Sequence, residues 1–206
     1  GLQAVGPAIH SHPITATARV LSSEPRGALA KVPDGGTLVL HGGVYPEALG
    51  AITRGVTIQA APGETVWFDG GGTLARAFNA KAKVNLYDVG VRNYTTAADG
   101  LKAMVYYGGG SQGSLIDGCR FDGSPMASLQ FSVPLVVRGN TFTNNGWSGV
   151  MGTTCDGALI EDNVFAGMNR DNHPPEPETA AMKLTRAKRV IVRRNTVTDL
   201  TSPSGL

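Results

Sequence analysis

The stretch Leu135-Val-Val-Arg-Gly-Asn-Thr-Phe142 decides the fold of this 206-residue chain. Its outline is apolar, any, apolar, two residues, a fixed site, any, apolar. The outline returns as Ala158-Leu-Ile-Glu-Asp-Asn-Val-Phe165 and Val190-Ile-Val-Arg-Arg-Asn-Thr-Val197. It returns with Cys at the fixed site as Ser114-Leu-Ile-Asp-Gly-Cys-Arg-Phe121, and earlier as Val84-Asn-Leu-Tyr-Asp-Val-Gly-Val91. Two looser copies, Leu38-Val-Leu-His-Gly-Gly-Val-Tyr45 and Val56-Thr-Ile-Gln-Ala-Ala-Pro-Gly63, open the series. The fixed sites are Gly43, Ala61, Val89, Cys119, Asn140, Asn163 and Asn195, with gaps of 18, 28, 30, 21, 23 and 32 residues. Self-similarity at such periods marks a solenoid. No helical spacing fills the gaps, which excludes a leucine-rich repeat. Short β-branched runs separated by Gly, Asn and Asp predict parallel strands stacked coil on coil.

The asparagines have a physical reason. An inward Asn at a turn both donates and accepts, so identical residues in successive coils can form a ladder that satisfies buried turn groups. Asn also tolerates left-handed backbone. Cys119 at this site is expected to be a buried thiol. Cys155 lies two coils on, and with coils rising about 4.8 Å each the two sulfurs are too far apart to bond.

Composition agrees. Hydrophobic residues make up 41% and charged ones 17%, enough for a core. Glycine has no three-residue period, so collagen is excluded. A net charge of +2 argues for neither nucleic acid nor an anionic membrane as partner. No apolar run is long enough to span a bilayer.

Within Ser23-Glu-Pro-Arg-Gly-Ala-Leu-Ala-Lys-Val32, Ser23 suits an N-cap and Pro25 the first turn, while Ala28, Leu29 and Val32 share a face. A short helix capping the first coil is expected, with an extended segment before it. Residues 1–33 thus form a leading segment and cap, and residues 34–206 the solenoid. No polar cover follows residue 198. The expected consequences are a stack that continues beyond the chain, or self-association through its uncapped C-terminal coil.

These blocks resemble the right-handed parallel β-helix repeat of the pectin-lyase-like superfamily. Gly36-Thr-Leu-Val-Leu-His-Gly-Gly-Val-Tyr-Pro-Glu47, Gly55-Val-Thr-Ile-Gln-Ala-Ala-Pro-Gly-Glu64 and Val66-Trp-Phe-Asp-Gly70 resemble the opening coils of carbohydrate-active members. The resemblance implies an all-β right-handed solenoid of about seven coils, three strands per coil, with a polysaccharide as partner and a secreted or extracellular location. It does not choose among lyases, hydrolases, esterases, epimerases and non-enzymatic spikes.

The resemblance also implies that the strand before each Asn block lines the binding groove. Those strands are approximately 77–81, 103–107, 128–132, 149–153 and 181–185. Alternation turns Asn79, Lys81, Gln130, Ser132, Met151, Thr153, Lys183 and Thr185 outward. Lys183 is the leading candidate as the base, or as the carboxylate partner, of a lyase or epimerase acting on a uronate polymer. Arg186 could hold the carboxylate bidentately. His173, in the long insertion Met168-Asn-Arg-Asp-Asn-His-Pro-Pro-Glu-Pro-Glu-Thr179, is a candidate acid or base. Lys81, Gln130, Trp147 and Tyr107 are candidate substrate-binding residues, Trp147 and Tyr107 (or Tyr106) by stacking on sugar. No cofactor is expected; the weak metal candidate is Ca2+ on Asp171, Glu176 and Glu178. The outward groove positions carry no Asp or Glu, so the paired carboxylates of a hydrolase are missing. The stretch Gly123-Ser-Pro-Met-Ala-Ser-Leu-Gln-Phe131 lacks the carboxylate a pectinesterase would use. The alternatives are a non-catalytic glycan-binding or structural surface or spike module, and an inactive fragment of a larger β-helix enzyme.

Overall fold

A computed structural model describes residues 19–96, 100–174 and 179–201. Three parallel sheets run the length of the molecule, and the chain visits them in rotation. Sheet A holds Arg19–Ser22, Gly36–Leu40, Val56–Ala60, Val84–Tyr87, Leu115–Asp117, Val136–Arg138, Leu159–Glu161 and Ile191–Arg193. Sheet B holds Gly43–Tyr45, Val66–Asp69, Val89–Arg92, Arg120–Asp122, Thr141–Asn145, Val164–Met168 and Thr196–Thr198. Sheet C holds Gly50–Ile52, Phe78–Ala80, Ala103–Tyr107, Ala127–Phe131, Ser148–Thr153 and Met182–Thr185. The protein is a parallel β-helix of seven coils, the last represented in sheets A and B among the described residues.

Alternation fills the inside. Ile116, Val137 and Ile160 are the middle residues of three-residue strands in sheet A, and all are fully buried. In sheet B, Phe121, Phe142 and Phe165 occupy one register row and stack with centroids 4.9 Å apart and rings within 7° of parallel. Each such pair adds roughly 1 kcal/mol beyond its buried area.

The expected ladder forms at the A-to-B corner. Asn140 Nδ2 donates to Asn163 Oδ1 at 3.0 Å, and Asn163 Nδ2 to Asn195 Oδ1 at 2.9 Å. Each oxygen also accepts the backbone N–H of the site one coil earlier, including that of Cys119. Each amide also donates to a sheet A carbonyl: Ile116, Val137 and Ile160. Cys119 occupies the same row, its sulfur 3.5 Å from the Leu86 carbonyl, and burial pushes its thiol up to about 12. Both cysteines are buried and free.

Two local expectations need correction. The register runs Gly43–Val66–Val89, so Val66, not Ala61, holds the ladder position of the second coil. Pro62 and Gly63, the latter at a φ of 75°, lengthen that corner, and a block spacing taken from sharper turns overlooks the extra residues. The capping helix spans Pro25–Leu29 with Glu24, not Ser23, as its N-cap, and no side chain caps it. Pro25 fits there because its missing N–H would be unpaired anyway. Ala28, Leu29 and Val32 are buried as their shared face required. Before the helix, Arg19–Ser22 pairs in parallel with Gly36–Leu40.

Candidate functional site

Sheet C places its outward residues in register. One row runs Ala51, Asn79, Tyr106, Gln130, Met151, Lys183. Beside it run Ser132, Thr153 and Thr185, with Thr153 and Thr185 paired across coils. None of the six strands contains Asp or Glu. Stacking spaces the rungs about 4.8 Å apart, and four of the six present an amide, phenol or ammonium, with Ala51 and Met151 as the apolar rungs.

Polar contacts order the row. Tyr106 Oη lies 3.0 Å from Ser132 Oγ, and Thr185 Oγ1 lies 3.2 Å from Thr153 Oγ1. Gln130 Oε1 accepts the Lys102 backbone N–H at 2.8 Å. Asn79 Oδ1 is buried with no hydrogen-bond partner. A depression of about 90 Å³ lies over Gln130, Met151, Gly152, Thr153, Lys183 and Thr185.

Lys183 and Gln130 therefore meet in one depression, as alternation required. Lys81 is exposed just past the second-coil strand, at the opposite end of the sheet. Arg186 follows Thr185 in a left-handed turn, at a φ of 51°, and is exposed. It does not line the depression.

Tyr107 must be corrected. It is fully buried and faces inward, its ring 5.8 Å from that of Phe78. Val105 pairs with Phe78, so positions 105 and 107 point in and Tyr106 is the tyrosine on the groove. Trp147 is corrected in part. Lys102 Nζ sits 4.7 Å from its ring centroid, and His173 meets it at a right angle, 6.0 Å away. The indole packs these two side chains together and is not an open stacking surface.

Trp147, Lys102 and His173 stand at the B-to-C corner, where chains enter sheet C. Lys183 pairs with Met151, four residues beyond Trp147, so it lies about 13 Å further along the strand direction. The structure thus separates His173 from Lys183. Asn169 holds the His173 segment, donating from Nδ2 to its carbonyl at 3.2 Å and accepting its N–H at 3.0 Å. Arg170 binds Asp171 at 2.8 Å, which holds that carboxyl below its usual range. Glu176 and Glu178 lie outside the described residues. Among the described residues no cluster of three His, Cys, Asp or Glu side chains forms, and Asp171 is engaged by Arg170.

Sequence reasoning missed Lys102 and Arg76. Both immediately precede or approach sheet C strands, and Arg76 clamps the corner by donating to the Leu101 and Ala103 carbonyls at 3.1 Å each. A cation repeated at the mouth of successive groove strands was the available signal.

No protein-family model matches the chain, and no curated protein matches it in sequence. Among solved structures, the fold is similar to that of a protein from Parabacteroides merdae ATCC 43184 described as "a putative glycosyl hydrolase". The two share 13% identity at a TM-score of 0.58, over 91% of this chain and 93% of the other. At that identity the likeness shows the shared architecture.

Proposed function

We propose that this protein is a carbohydrate-active β-helix that holds an acidic polysaccharide along sheet C and acts on it as a lyase or epimerase. The observation that carries this reading is the outward row itself: Asn79, Tyr106, Gln130 and Lys183 in register, cationic at one end and free of carboxylates. A linear polymer with repeating hydroxyls matches such a ladder, and a uronate carboxylate suits the ammonium that Lys183 brings to the row. The description of the structural neighbour supports a carbohydrate as the ligand. Paired carboxylates at 5 to 10 Å, which glycoside hydrolysis uses, are not offered by these strands.

In the proposed reaction a base removes the proton α to the uronate carboxylate. The electron pair left behind either expels the β-linked sugar oxygen, leaving a carbon–carbon double bond, or is reprotonated from the other face. Lys183 is the base or the carboxylate partner. Gln130, Thr153 and Thr185 orient the ring.

A second reading, a glycan-binding module without catalysis, is favoured by one fact: among the described residues lining the depression, Lys183 is the single titratable side chain. A panel of uronate polymers separates the two. Ultraviolet absorbance reports the unsaturated product of a lyase, and exchange of solvent deuterium into the sugar reports an epimerase. Calorimetry reports binding. Turnover abolished by Lys183→Ala supports the first reading. Binding without turnover supports the second, and binding to none of the polymers defeats both.

A further inference from the structure

We infer that the outer flank of sheet A, from the fourth to the seventh coil, is a two-fold interface with a second copy of this chain. Two outward rows run side by side there. One is apolar: Leu115, Val136, Leu159 and Ile191 lie in register. The first three are half-buried and Ile191 is 52% exposed. The other alternates in charge: Asp117, Arg138, Glu161 and Arg193 occupy successive rungs. Arg138 Nε binds Asp117 at 2.8 Å and Arg193 Nε binds Glu161 at 2.7 Å. Both arginines stay about half exposed over acids that are nearly buried.

The pattern selects its partner by symmetry. A face-to-face dimer has its two-fold axis in the plane of contact. An axis parallel to the strands, passing between the fifth and sixth coils, keeps each row opposite its own copy and reverses the order of the rungs. Leu115 then faces Ile191 and Val136 faces Leu159, apolar against apolar. Asp117 faces Arg193 and Arg138 faces Glu161, opposite charges at every rung. An axis along the solenoid through the charged row would instead oppose like charges, which is repulsive.

The neighbouring corner allows the approach. The residues just past the charged row are Gly118, Gly139, Asp162 and Arg194, all with φ between 53° and 65°. Reversal sets Gly118 against Arg194 and Gly139 against Asp162, so neither charge meets its like. A depression of about 210 Å³ lies over Gly139, between Arg138 and Glu161, where the axis passes. The interface spans only four rungs, so the dimer belongs to the small, weak class and salt should loosen it.

Sedimentation velocity across a concentration series, at low and high salt, tests this. The wild type is expected to show a concentration-dependent dimer that salt dissociates. Val136→Glu and Leu159→Lys, both at outward positions, are each expected to stay monomeric. An equimolar mixture of the two variants should dimerise again. The carboxylate introduced in one copy then meets the ammonium introduced in the other, while the second contact remains Val136 on Leu159. That complementation cannot arise from misfolding. A wild type that is monomeric throughout overturns the proposal and leaves the flank to a different protein. Single variants that dimerise like the wild type, or a mixture that does not recover, overturn it equally.

Discussion

The side-chain amide of Asn163 serves three residues at once: its oxygen accepts from the backbone and side chain of Asn140, and its nitrogen donates to Val137 and Asn195. Because the residue is only 1% exposed, no water can replace these bonds. Removing one partner strands the others, and each buried orphan costs about 1–3 kcal/mol.

Asn163→Ala should therefore cost roughly 3 kcal/mol. Asn195→Ala, at the partly exposed last rung, should cost less than half of that. Urea unfolding with a shared slope gives the comparison. Equal losses at the two positions would show that the ladder contributes no more than its packing.

The sulfur of Cys119 rests beside the Leu86 carbonyl and close to the Val89 N–H. Those are the counterparts of the two backbone groups that Asn140 serves one coil later, the Ile116 carbonyl and the Cys119 N–H. Cys119→Asn should extend the ladder by a rung and raise stability by about 1 kcal/mol. A lower unfolding midpoint would mean the first coils cannot accept the amide.

Asp69 is half-buried, which alone would raise its pKa, but the Gly71 N–H, the Arg92 guanidinium and the Asn93 amide outweigh burial and hold it below 3.8. A depressed carboxylate stabilises the fold fully above its unfolded value. That contribution is lost as pH falls through the lower folded value. Asp69→Asn should lower stability at neutral pH and flatten its dependence on acid below about pH 4. An unchanged acid limb, measured by thermal unfolding from neutral to strongly acidic buffer, would exclude Asp69 as a contributor.

Tyr106 and Tyr107 are adjacent and should behave oppositely. Tyr107 buries a hydroxyl that has no partner, so Tyr107→Phe should leave binding intact and stability unchanged or up by as much as about 1 kcal/mol. Tyr106→Ala removes a groove side chain and should weaken saccharide binding about tenfold, or roughly 1.4 kcal/mol. Calorimetry on both variants checks the assignment.

Much of this was legible in the chain. Apolar residues on either side of a recurrent Asn set both the strand face and the ladder, so Lys183, Gln130 and Met151 could be aligned without coordinates. What escaped depended on distance along the chain or on corner length. Trp147 could not be seen to carry Lys102, 45 residues earlier, because adjacency across coils depends on the residues in each turn. The inserted corner at Pro62 hid the role of Val66. The choice between Tyr106 and Tyr107 needed Phe78 as an anchor one coil below.

The corner between sheets B and C ranges from two residues, 146–147, to thirteen, 169–181, while the strands on both sides hold their register. Each coil touches only its neighbours, so the disturbance of a longer excursion stays local. Variation can therefore accumulate at this one edge of the groove without being felt by the rest of the stack. On the proposed function, rewriting a single excursion changes which glycan is accepted, much as a tool changes its bit and keeps its handle.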